Sequence, residues 1–126
     1  MAQPNKTLYI TTVEGLFIGE ILAHFEAATS GTLGLKLSHT FAHDGDLGPV
    51  LGALGIQSLR WPAMGSNLAM ELWQVSGGSE EYFVRVLYCG APLRTTAGDL
   101  SWIPYSQFKS TLSAYVPEDI VALCNA

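Results

Sequence analysis

Positive charge is scarce in this sequence. Three Arg (Arg60, Arg85, Arg94) and three Lys (Lys6, Lys36, Lys109) stand against 11 carboxylates, for a formal charge of −5. The cations are scattered and form no stripe. A nucleic-acid backbone would be repelled, so no nucleic-acid partner is expected. Charge of either sign is also low, at 13% of 126 residues, while hydrophobic residues reach 48%. That balance excludes a disordered chain and requires a buried core. It equally suits a piece of a larger domain whose apolar faces belong against a missing part. Cysteine is limited to Cys89 and Cys124, and histidine to three residues. Neither set has metal-ligand spacing, so no metal site is expected. The two cysteines are compatible with one disulfide or with two thiols. No G-x-S-x-G, P-loop or G-x-G-x-x-G occurs, and no cofactor is expected. No apolar run reaches the length of a membrane span, and the N-terminus lacks a basic segment followed by an apolar one. No membrane partner and no signal peptide are therefore expected.

What is present reads as alternating elements. Residues 1–6 form a loose start. Thr11-Thr12-Val13-Glu14 fits a capping box, with Thr11 as N-cap and Glu14 at N3. Val13, Phe17, Ile21, Phe25 and Ala28 follow at near-helical spacing, and Ser30-Gly31 stops the run. This predicts a helix over 13–29. Leu35–Ala42 alternates Leu35, Leu37, His39 and Phe41 against Lys36, Ser38, Thr40 and Ala42, which predicts a strand. A second helix is expected near 46–55, with Leu47, Val50, Leu51 and Leu54 on one face and Pro49 in its first turn. Gln57–Gly65 is a loop containing Trp61-Pro62. Asn67–Val75 and Tyr82–Tyr88, separated by Ser76-Gly77-Gly78-Ser79, predict an antiparallel hairpin. Pro104–Tyr115 predicts a helix with Pro104 near N1 and Phe108, Leu112 and Tyr115 inward. A last helical turn ends near Cys124. The strand–helix passage reads as α/β, with the hairpin added to the sheet edge or extending from it.

The junction Phe41-Ala42-His43-Asp44-Gly45-Asp46 is the informative point. Here a strand is expected to run into a turn and then a helix. In open α/β sheets ligands collect at the carboxyl ends of strands, beside helix N-termini whose amides favour anions such as phosphate. A His and an acid placed there suit phosphate contact and proton donation. On the dipeptide alone, helix capping by Asp44 or Asp46 is the commoner role. His39, by alternation, points with Leu37 and Phe41 into the core, and His24 packs on its helix. Trp61, Trp73 and Trp102 are core residues by default, or else the lining of a groove.

Phe41-Ala42-His43-Asp44-Gly45-Asp46-Leu47, followed by Leu51-Gly52-Ala53-Leu54-Gly55-Ile56, resembles the second signature of the histidine acid phosphatases, the acid phosphatase and phytase branch of the histidine phosphatase superfamily. Four further stretches resemble that family in the same order. They are Trp61-Pro62-Ala63-Met64-Gly65-Ser66-Asn67-Leu68, Met70-Glu71-Leu72-Trp73, Tyr82-Phe83-Val84-Arg85-Val86-Leu87-Tyr88, and Pro104 to Cys124. The resemblance spans roughly 8–124. It implies an α/β fold, a partial phosphoglycerate-mutase-like three-layer domain with mixed sheet, helices and a β-hairpin. It implies a phosphomonoester or inorganic phosphate as ligand, with Asp44 as proton donor and His43 as phosphate contact. The family's nucleophile is a His in Arg-His-Gly-x-Arg-x-Pro. No Arg-His-Gly occurs in this chain, so a missing N-terminal phosphatase half is the implied partner and the chain alone is expected to be inactive. Relatives are commonly secreted. Ile103 stands where many have Cys, so Cys124 lacks the usual partner, and Gly45 stands where Thr is frequent. The alternative is a non-catalytic phosphate-binding or partner-binding protein derived from the fold.

Overall fold

A computed structural model describes residues 6–32, 34–56, 60–77 and 80–126. Residues 1–5 of the expected loose start, 57–59 of the expected loop and 78–79 of the expected turn lie outside those residues, and Lys6, expected in the loose start, is helical. The elements in order are α1 (Lys6–Thr29), α2 (Asp44–Ala53), β1 (Leu68–Gln74), β2 (Tyr82–Tyr88), β3 (Ala91–Pro92), β4 (Arg94–Thr95), β5 (Gly98–Asp99), β6 (Ile103–Pro104), α3 (Tyr105–Ser113) and α4 (Ile120–Cys124).

α1 starts earlier than expected and turns a different face inward. Its buried stripe is Ile10, Glu14, Ile18 and Leu22, with Thr11 and Gly15 beside it. That is one position, about 100°, from the expected Val13-Phe17-Ile21-Phe25 stripe. Val13 and Leu16 face solvent, while Phe17 and Phe25 flank the core. The helix is apolar nearly all round, so periodicity alone does not select its buried side. Thr11 and Glu14 lie in mid-helix and form no capping box. By length and composition α1 would pass as a membrane span, which corrects the expectation that no run is long enough. The same test passes a core helix, and the inward side of α1 is core here.

Glycine sets how closely α1 can be crossed. A Cβ on Gly15 would sit 2.6 Å from the carbonyl oxygen of Tyr115 and 2.7 Å from Cδ of Pro117. The α3–α4 connection therefore rests directly on the α1 backbone.

β1 and β2 form the expected hairpin, in register from Leu68 opposite Tyr88 to Gln74 opposite Tyr82. Alternation sorts its faces. Leu68, Met70, Leu72, Val84 and Val86 join the core with Phe108 and Leu112 of α3. Phe25 of α1 meets Phe108 edge-on at 5.4 Å between ring centroids. β3 and β6 pair with opposite ends of β2, and all pairs among the described residues are antiparallel. The whole is α/β. The other sheet face carries Glu71, Trp73, Phe83 and Arg85. Phe83 stacks on Trp102 at 5.0 Å, and Arg85 lies over Trp73. All three Trp are exposed, against the expectation of core packing. The Trp73–Trp102 pair is a sheet surface stabilised by stacking and charge rather than by burial.

The expected strand at Leu35–Ala42 is absent. The segment is irregular and exposed, with Leu37 82% and Phe41 89% accessible. A strand exists only where neighbours take its backbone hydrogen bonds. Among the described residues no other strand runs alongside to take them. His39 is consequently not a core residue but an exposed ring against Phe41, at 4.5 Å.

Candidate functional site

α2 begins two residues earlier than expected. Its N-cap is His43, in extended backbone, and Asp44 is its first residue. Asp46, at N3, reaches back so that its Oδ2 accepts the His43 backbone N–H at 2.8 Å. The same oxygen lies 3.3 Å from His43 Nδ1. Capping therefore falls to Asp46, which satisfies an orphan donor at the helix start. The His43 backbone N–H is the main influence holding the Asp46 carboxyl below its ordinary range. With the helix beginning at Asp44, Pro49 is not in the first turn but inside the helix. It cannot donate to the Gly45 carbonyl, and packing on α1 and the core must hold the turn. Gly45 does not adopt a positive φ, so this turn does not depend on glycine there.

Asp44 is free of capping duty. Its Oδ1 accepts the Gly45 N–H at 2.8 Å, and its Oδ2 accepts the Trp61 indole N–H at 2.5 Å. Trp61 comes from the loop after α2 and fixes the carboxyl direction from the far side. It also lines a cavity of about 470 Å³ with Leu51, Ile56, Arg60, Tyr88 and Cys89. Asp44 and His43 are both exposed, the His43 side chain to 92%. The two predicted site residues are thus adjacent, at one helix N-terminus, and open to solvent. The Gly45, Asp46 and Leu47 amides of that first turn are already bonded, to Asp44 Oδ1 and the His43 carbonyl, so it is the local dipole that favours an anion there.

One residue of this region was misread from sequence. Glu14, read as part of a capping box, is buried in mid-α1 at 6% exposure. Burial, then the bond and charge of Asp46, push its carboxyl up to about 7. The signal available was a carboxylate one turn from Ile10 and one turn from Ile18, inside an apolar stripe. Arg60 lines the same cavity as Trp61, whereas Arg85, Arg94 and Lys109 are paired elsewhere, Lys109 at 2.6 Å from Glu26. Arg85 binds Glu71 at 2.7 Å and holds its carboxyl low, and Arg94 lies 3.5 Å from Asp99. Among the described residues no group of three His, Cys, Asp or Glu gathers as a metal site. Cys89 and Cys124 are unbonded and exposed.

The sequence model of the histidine phosphatase superfamily (branch 2) matches residues 8–89. The chain is 36% identical over 73 residues to 2-phosphoxylose phosphatase 1 of Homo sapiens, covering 58% of this chain and 15% of that protein. It is 32% identical over 109 residues to lysophosphatidic acid phosphatase type 6 of Mus musculus, covering 85% of this chain and 26% of that protein. A match to the Bos taurus lysophosphatidic acid phosphatase type 6 is 34% identical over 107 residues and covers 25% of it. The chain therefore spans only about a quarter or less of the length of these relatives. The matched stretch carries α1, the His43-Asp44 turn, α2 and the β1–β2 hairpin, and on it the chain belongs to the histidine phosphatase superfamily, branch 2.

Proposed function

We propose that this chain contributes the acid side of a phosphomonoester hydrolase, with Asp44 as proton donor to the leaving oxygen and His43 as phosphate contact. The observation that carries this reading is Asp44 itself. It is exposed on the first turn of α2, directed by Gly45 and Trp61, beside an exposed imidazole. Asp44 is not the capping residue: His43 is the N-cap, and Asp46 reaches back to its backbone N–H and ring. The chemistry follows from charge. The alkoxide leaving group is poor, so a placed proton lowers its barrier. His43 and the positive end of the α2 dipole counter the charge on the transferring phosphoryl oxygens. The nucleophile must come from outside these residues, on a segment bearing Arg-His-Gly. There the His nitrogen–phosphorus bond forms as the ester oxygen–phosphorus bond breaks, and the Asp44 proton moves to the departing oxygen. Water then releases phosphate and returns a proton to Asp44.

A second reading is favoured by the same missing motif. The fold would then serve as a phosphate-binding or partner-binding protein without turnover.

The test is hydrolysis of a generic phosphomonoester at acid pH, by the chain alone and mixed with a homologous N-terminal part bearing Arg-His-Gly. Silence alone with activity on mixing supports the first reading, and Asp44→Asn should then reduce the rate by about 10²–10⁴-fold. Full activity of Asp44→Asn in the mixture would remove the proton-donor assignment. Phosphate binding without turnover in either arm would favour the second reading.

A further inference from the structure

A carboxyl on the inward stripe of a core helix requires a reason. Glu14 lies between buried Ile10 and Ile18, on the side of α1 that meets α2. Its hydrogen-bond partner is Asp46 of α2. Asp46 in turn accepts the His43 backbone N–H at 2.8 Å and lies 3.3 Å from the His43 ring nitrogen. The buried carboxyl is thus the root of a chain that ends on an exposed imidazole at the helix tip. Two carboxyls this close share one proton more readily than they carry two charges.

Among the described residues no cation is paired with Glu14 instead. From α2 the facing groups are His43, Asp44 and Asp46, and Asp44 is turned to Gly45 and Trp61. From α3 they are Tyr105 and Lys109, both joined to Glu26, more than three turns along α1. From α4 and its approach they are Glu118, Asp119 and Cys124, and Asp119 caps its own helix through the Ala122 N–H. Lys6, on α1 itself, is two turns away and reaches toward Gly52 of α2.

We propose that Glu14 is a positioning residue, acting through Asp46 to fix the backbone and ring of His43. With its proton, Glu14 donates to Asp46 and locks the first turn of α2. Without it, two carboxylates face each other and the lock loosens. The assignment of His43 to phosphate rests on the function proposed above, whereas the coupling from Glu14 to His43 does not.

The test is an NMR titration of the 126-residue chain from acid to alkaline pH, reading the Glu14 side-chain carboxyl and the His43 and Asp46 backbone amides. Glu14→Gln keeps the shape and a donor but cannot ionise. In the wild type the carboxyl should titrate near 7 rather than at the ordinary 4.5, and both amides should step with it. In Glu14→Gln that step should vanish while the rest of the spectrum is retained. A carboxyl midpoint near 4.5 in the wild type overturns the proposal, even should the variant not fold. So does an unchanged amide step in Glu14→Gln. Inorganic phosphate added at low and high pH separates the two readings. Phosphate-induced shifts at His43 that weaken as Glu14 ionises support both. Shifts that miss His43 while the amides still follow Glu14 refute the phosphate contact and leave the positioning role standing.

Discussion

Replacing Glu14 by Gln should change how stability depends on pH, and the structure gives the sign and the window. The Glu14 carboxyl sits at about 7 when folded, against an ordinary 4.5. Between those values the folded chain holds a proton that the unfolded chain has released. Stability must therefore fall as pH rises through that interval. Below 4.5 both states are protonated, and above about 7 both are ionised, so the curve flattens at either end. At about 1.4 kcal/mol per pH unit, the gap sets a ceiling of about 3 kcal/mol on the loss. That is a substantial part of the 5–15 kcal/mol, roughly, that holds a domain folded. Asp46 contributes in the opposite sense. Its lowered carboxyl adds stability above its ordinary 3.8 that is lost only as pH falls further, below the Glu14 window. Glu14→Gln carries no titrating proton and should show no loss across the interval. Urea unfolding of both proteins at half-unit steps from pH 4 to about 8.5 measures the difference directly. Parallel curves for wild type and Glu14→Gln would refute the argument, because they would mean the buried carboxyl does not hold its proton.

Two further outcomes follow from packing. Phe108 is 1% exposed and meets Phe25 edge-on, so Phe108→Ala should cost about 3–5 kcal/mol by denaturant unfolding. A loss below about 1 kcal/mol would mean that the α1–α3–sheet core is not formed as described. Gly15→Ala sets two effects against each other. Helix propensity favours Ala by about 1 kcal/mol, but the new Cβ would lie 2.6 Å from a backbone carbonyl. Overpacking of about 1–3 kcal/mol should win, so a lowered melting temperature is expected and a raised one would contradict the close crossing.

Much of the fold was legible because its signals are local. The β1–β2 hairpin showed in two aromatic and β-branched runs flanking a glycine turn. α3 showed in Phe108 and Leu112 at one-turn spacing behind Pro104. α2 was found two residues late, since its true N-cap is a histidine and capping residues of the usual kind follow it. Three features were not legible. The buried side of α1 was missed because Val13 and Leu16 are as apolar as Ile10 and Ile18, and only the packed neighbours decide between them. The strand at Leu35–Ala42 was expected from real alternation, but alternation states what a segment suits and cannot supply the strands that would pair with it. The Trp pair at Trp73 and Trp102 was assigned inward on size alone, whereas its partners are Phe83 and Arg85 on the outer face. At the site, the roles proposed for His43 and Asp44 come from the family resemblance, while the dipeptide alone points to capping, which the structure gives to His43 and Asp46. Glu14 was seen but given the wrong task, because Thr-x-x-Glu near a helix start usually caps it and here the helix had already begun.

The bond from Asp46 back to His43 spans three residues. Contacts this close in sequence close within roughly the sub-microsecond time of short loops, well before distant strands meet. The turn that presents His43 and Asp44 can thus begin to form from its own four residues, before packing on α1 holds it. It does not wait for the segment leading into it, which pairs with no strand among the described residues. Any chain that completes the proposed site would meet an acid turn already shaped, and would spend little of its binding free energy on ordering that turn.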